Sequence, residues 1–111
     1  MEITLGPITA IPPGEGRTFR VGAERIAVFR TRQGRVFASR AECPHRGGPL
    51  ADGLVGGHFV ICPLHAWKFD LETGQSAGTA CSLQTYPVRL SAAGPIIVDF
   101  SAAPSLEARP A

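Results

Sequence analysis

Long apolar runs are missing from this chain. Its apolar stretches, such as Phe59 to Ile61 and Pro95 to Val98, fall far short of the ~20 residues that span a bilayer, so no membrane anchor is expected. The opening residues MEITLGPITA carry neither a basic region followed by an apolar one nor a twin-arginine pair, and a cytoplasmic protein is therefore expected. Stretches free of both Gly and Pro are also scarce, since 13 Gly and 10 Pro are spread along 111 residues. That leaves little room for long helices and favours short strands joined by turns, hence an all-β fold. Cysteine is sparse and odd in number, with three in all, which argues against a disulfide framework and for metal binding or a buried thiol. A phosphate-binding glycine loop is absent too. Charge is modest at net +2, and although eight Arg fall in residues 1 to 46 against four acidic groups, they alternate with apolar residues instead of clustering. Nucleic-acid binding is not expected.

The hydrophobic fraction of 44% in 111 residues suits one compact domain. Arg17 to Val21, Glu24 to Thr31 and Arg35 to Arg40 alternate or nearly alternate, with Val21, Ile26, Val28, Val36 and Phe37 as apolar points; they read as strands of a meander. Gln33-Gly34 reads as a hairpin turn. After the Pro- and Gly-rich ECPHRGGPL, His58 to Ile61 resumes as a short strand, CPLH interrupts, and Ala66 to Leu71 continues. Glu72-Thr73-Gly74 reads as a turn, and Leu83 to Leu90 pairs with Pro95 to Phe100 in a closing hairpin around Ser91 to Gly94. The tail SAAPSLEARPA has no periodicity and is expected to be disordered.

Two short segments each carry a Cys, a Pro and a His: Cys43-Pro44-His45 and Cys62-Pro63-Leu64-His65. Taken singly, each His could be an ordinary surface histidine and each Cys a buried thiol. Paired at loop positions, with Pro directly after each Cys, they put four candidate ligands on two adjacent fingers. His58 and Cys81 have no such neighbours and read as structural. A zinc site of two Cys and two His usually takes its Cys as one CxxC pair and its His from a helix, whereas here each loop supplies one of each. A binuclear iron-sulfur cluster suits two opposed loops better, because one iron can take both thiolates and the other both imidazoles.

CPHRGGPL followed by CPLHAWKFD, with LETG just beyond, resembles the two cluster-binding loops of the Rieske family. The similarity is strongest from Cys43 to Gly74, and YPVRL and IIVDF are similar to the closing strands of bacterial Rieske-type ferredoxins. The resemblance implies antiparallel β-sheets in a barrel-like sandwich with an inserted cluster-binding subdomain of two loops. It implies a domain over residues 1–100, its cluster-binding part at about 41–74, followed by the tail 101–111. It also implies one Rieske-type 2Fe-2S cluster, with Cys43 and Cys62 on the inner iron and His45 and His65 on the outer iron near the surface.

Ligand charge explains why such a cluster suits electron transfer. Four thiolates would leave an oxidised cluster doubly negative, whereas two thiolates and two neutral imidazoles leave it neutral and easier to reduce, at roughly −150 to +300 mV. High-potential members of the family carry a further Cys in each loop, joined as a disulfide; Gly48 and Leu64 take those places here. The matching positions for their sulfur-directed hydroxyls are Trp67 and Phe69, which have none, so a potential in the lower half of the range is expected. Gly47, Gly48, Pro49 and Pro63 serve as turn residues that also bring amide N–H groups towards the sulfides. Trp67 reads as a core or lid residue. Arg46 and Lys68 form either a basic rim for an acidic partner or ordinary solvated charge.

A complete cluster leaves no open coordination position, and Cys43 with His45 is a poor nucleophile and base on so tight a loop. The expectation is an electron-transfer component and not an enzyme by itself. As the resemblance implies, its partners are a flavin reductase and a terminal oxygenase; as an alternative, it is the small subunit of an NADH-dependent nitrite reductase beside the large subunit. A reading of a different class is a zinc-stabilised binding module with no redox role, which would be colourless where a 2Fe-2S protein is red-brown.

Overall fold

A computed structural model describes residues 2–22, 24–42, 49–63, 67–76, 82–91 and 94–99. Among these residues ten strands follow in order: β1 (Glu2–Pro7), β2 (Glu15–Val21), β3 (Glu24–Arg30), β4 (Val36–Arg40), β5 (Leu54–Gly56), β6 (Phe59–Ile61), β7 (Lys68–Asp70), β8 (Thr85–Tyr86), β9 (Val88–Leu90) and β10 (Pro95–Asp99). Short 3-10 turns occupy Ile8–Ala10 and Leu50–Asp52, and no α-helix occurs among the described residues. All described strand pairs are antiparallel, in three sheets ordered β1-β10-β9, β2-β3-β4-β8 and β5-β6-β7. The all-β expectation holds.

The meander forms as read. β2 pairs β3 from Glu15↔Arg30 to Val21↔Glu24, and β3 pairs β4 with Phe29 opposite Phe37. The turn between β3 and β4 needs Gly34, whose φ of 91° is a left-handed value that side chains resist. Thr31 closes it, its hydroxyl accepting from the Arg35 amide at 3.0 Å.

β3 does not alternate. Ile26, Ala27, Val28 and Phe29 are all fully buried, because this strand has a layer on each side. Ala27 and Phe29 pack with Phe37, Leu50, Val60, Phe69 and Leu71, while Ile26 and Val28 pack with Ile11, Ala38, Tyr86, Ile96 and Val98. A strand covered on both faces reads as a continuous apolar run. The four-stranded sheet is thus the middle layer, between the β1-β10-β9 sheet and the segment that carries β5, β6 and β7.

Leu83 to Leu90 is not the single strand its pattern suggests. β8 pairs β4 and β9 pairs β10, and Pro87 stands between them with no N–H to give a ladder. Its carbonyl still accepts from the Asp99 amide at 2.9 Å. Two further strands, β1 and β5, carry little local signal. β1 closes the sheet beside β10, burying part of Ile3 and Leu5, and β5 lies among glycines that dilute its signal.

β4 and β8 are neighbours, with Ala38 opposite Tyr86 and Ser39 opposite Thr85. Everything between them is an excursion from one antiparallel pair, and that excursion contains both Cys/His loops. The tail 101–111 lies outside the described residues. No helix among the described residues is long and apolar enough to cross a membrane.

Candidate metal centre

Both loops are tied at their bases. At the first, Glu42 bridges Pro49, the Leu50 amide donates to the Ala41 carbonyl at 3.0 Å, and the Ala41 amide donates to Arg25 O at 3.1 Å. Arg25 also ion-pairs with Glu42, the residue before Cys43. The second loop is closed where the Cys62 amide donates to the Trp67 carbonyl at 2.8 Å, one step beyond the Ile61↔Lys68 pair.

The two bases touch through Gly53. A Cβ there would stand 2.2 Å from the Ile61 carbonyl oxygen and 3.1 Å from that of Leu50. The chain leaving the first loop therefore lies backbone-to-backbone against the strand that enters the second. No other residue type permits that approach.

Cys62 is 2% exposed and places its sulfur among Leu50, Val60 and Phe69, with Trp67 and Ala51 packed against the same cluster. A sulfur held at the buried end of a loop, beside the base of a second loop, fits a ligand that approaches a metal group from the core side. Cys43, His45 and His65, the other three candidate ligands, lie outside the described residues, as do Arg46, Gly47, Gly48, Leu64 and Cys81.

Trp67 is half-buried, its ring 6.4 Å from that of the fully buried Phe69. Of the two roles expected, core or lid, this contact is the core one. Lys68 is exposed and holds its Nζ 4.3 Å over the Phe59 ring.

His58 sits at the other end of β6 from Cys62, and its Nδ1 lies 3.0 Å from Asp70 Oδ1. The same carboxylate oxygen accepts from the Glu72 amide at 2.8 Å. Partial burial pushes the Asp70 carboxyl up, but the Glu72 amide and His58 outweigh it and hold it below its ordinary value. Glu72 pairs with Arg35 at 2.5 Å, and Arg35 stacks on Phe37. The network braces the excursion against the middle sheet. His58 and Asp70 stand twelve positions apart with no local pattern to join them, so this brace is not legible in the sequence.

The Rieske 2Fe-2S domain model matches residues 2–87. The chain is 33% identical over 99 residues to the biphenyl dioxygenase ferredoxin subunit of Pseudomonas sp. strain KKS102, covering 86% of this chain and 89% of that protein. Two longer relatives, cholesterol 7-desaturase of Xenopus laevis and a 4beta-methylsterol monooxygenase of Methylococcus capsulatus, are spanned over only 14% and 24% of their lengths. Among solved structures, a Mycobacterium tuberculosis chain assigned as an NADH-dependent nitrite reductase small subunit superposes with TM-score 0.81 and 26% identity, over 88% of this chain and 93% of that one. A chain from the complex of reduced oxygenase and oxidised ferredoxin in carbazole 1,9a-dioxygenase matches with TM-score 0.74 and 28% identity, over 87% of this chain and 100% of that one.

Proposed function

The chain belongs to the Rieske 2Fe-2S domain family, and from that membership we propose that it is a one-electron carrier between a flavin reductase and a terminal oxygenase. One Rieske-type 2Fe-2S cluster would be held by Cys43, His45, Cys62 and His65. The observation that supports this most is the junction at Gly53, where two Cys/His loops meet at their bases with Cys62 buried beside it.

When bound, such a cluster takes up and returns a single electron. The chain's own residues supply what surrounds it. Cys62 offers sulfur from the core side, and Leu50, Val60, Phe69 and Trp67 keep water from that side. His45 and His65 would add two neutral donors. The protein then acts as an electron-transfer component and not as an enzyme by itself. The domain would run over residues 1–100, and the same reading assigns the protein to the cytoplasm, where NADH-fed reductases work.

A second reading, the small subunit of an NADH-dependent nitrite reductase, is favoured by the TM-score of 0.81 to the Mycobacterium tuberculosis chain. Neighbouring genes separate the two: a ring-hydroxylating oxygenase supports the first and a sirohaem nitrite reductase the second.

Protein purified without oxygen is expected to be red-brown, to carry iron and acid-labile sulfide in equal amounts, and to give a Rieske-type EPR signal after dithionite. Cys62→Ser is expected to lose iron. His45→Cys or His65→Cys, where a cluster still assembles, is expected to lower the potential by adding negative charge. A colourless preparation holding zinc and no iron would overturn the proposal.

A further inference from the structure

We propose that the outer face of the β5-β6-β7 sheet, formed by Leu54, Phe59, Ile61 and Lys68, is a docking surface for an electron-transfer partner, which meets it with an apolar patch flanked by carboxylates. The proposal rests on the electron-carrier function above and adds to it a surface and the chemistry of what binds there.

Register defines the face. Leu54, Ile61 and Lys68 stand in one row across the sheet, and Gly56, Phe59 and Asp70 in the next but one. Side chains alternate along a strand, so these two rows share one face and the row Val55, Val60, Phe69 takes the other. That inner row belongs to the core, with Val60 and Phe69 fully buried. The outer face of such an antiparallel sheet is ordinarily polar. Here it carries three large apolar side chains, and Leu54 is 73% exposed, against 38% for Leu90, the other exposed large hydrophobic among the described residues. A contiguous apolar patch next to a functional site marks an interaction surface.

The charges on the face select the occupant. Lys68 is exposed, holds its Nζ over the Phe59 ring, and forms no ion pair with any described residue. Asp70, at the far edge, is already engaged by His58 and the Glu72 amide. The face therefore offers apolar contact and one unmatched positive charge, whose complement is an apolar patch with carboxylates beside it. The face adjoins the base of the second loop. Ile61 immediately precedes Cys62, and Lys68 stands directly opposite Ile61.

The test is stopped-flow oxidation of the dithionite-reduced chain by the oxygenase of carbazole 1,9a-dioxygenase. Leu54→Asp and Lys68→Glu are expected to lower the second-order rate at least tenfold, while Lys68→Arg and Arg32→Glu, the latter in the turn between β3 and β4, keep it. Added salt is expected to slow the wild-type reaction more than that of Lys68→Glu. Iron content and the EPR signal stay unchanged in all four variants, the rate with a neutral small-molecule oxidant stays unchanged in Leu54→Asp, and each rate is compared after correction for that variant's own measured potential; Leu54 is exposed enough for its replacement to leave the fold intact. Wild-type rates in Leu54→Asp and Lys68→Glu would overturn the docking surface alone. A cluster-loaded wild-type chain that shows no saturable reaction with the oxygenase also overturns it for this class of partner. A chain without iron overturns the electron-carrier function beneath it. A wild-type dimer that Leu54→Asp dissolves would reassign the face to a second copy of the chain.

Discussion

Gly53 is where one stretch of backbone leans on another. Alanine there would place its Cβ 2.2 Å from the Ile61 carbonyl oxygen, and a strand carbonyl cannot step aside as a flexible side chain would. Gly53→Ala is expected to cost about 2–3 kcal/mol in denaturant unfolding and to lower iron per chain, because the displaced atoms adjoin Cys62. A variant that is stable and fully loaded would show that this junction does not hold the loops together. Asp70 offers a pH test. Its carboxyl lies below the ordinary value in the folded protein, so its contribution is present above the unfolded pKa and is lost as pH falls through the folded one. Asp70→Asn is expected to cost about 1 kcal/mol at neutral pH, with the gap to wild type closing in acid. An equal loss across the whole range would exclude this origin. The four candidate ligands are legible in the sequence because each Cys stands within a few residues of its His. Gly53 and Asp70 are not, because what constrains them, the Ile61 carbonyl and His58, is brought up only by the fold.

Among the elements, β3 shows how far pattern reading extends. Ile26, Val28 and the flanking turns reveal a strand, but no local signal says that Ala27 and Phe29 face a second layer. The consequence is an element that tolerates loss on neither side. Phe29→Ala is expected to cost about 3–5 kcal/mol and Val28→Ala about 2–3 kcal/mol, measured by chemical denaturation. A near-neutral Val28→Ala would mean that the β1-β10-β9 layer repacks freely against the middle sheet. Pro87 marks the opposite case, a visible breaker inside an otherwise strand-like run. It ends β8 and lets β9 begin in another sheet. β1 and β5 are not legible in the sequence for a physical reason: β1 finds its partner 95 positions away, where Ile3 meets Val98, and β5 is only three residues long.

For the whole molecule, the potential and the response to iron loss are the telling measurements. Phe69 is fully buried and, like Trp67, has no hydroxyl to offer a cluster sulfur. Protein-film voltammetry is expected to return a midpoint in the lower half of roughly −150 to +300 mV; one well above about +100 mV would contradict this. Chelation of iron is expected to expose the amides of β5, β6 and β7 to hydrogen exchange while β2, β3 and β4 stay protected, since the middle sheet keeps its own core on the β1-β10-β9 side. Equal loss of protection throughout would show that the layers unfold together. The excursion from β4 to β8 also bears on descent and design. The chain departs at Arg40, whose amide bonds to the Gln84 carbonyl at 3.0 Å, so exit and return stand side by side. A segment with its ends that close is a portable cassette. A graft needs more than paired strands ~5 Å apart: the host sheet must also offer an apolar face like that of Ala27, Phe29 and Phe37, against which the excursion packs here.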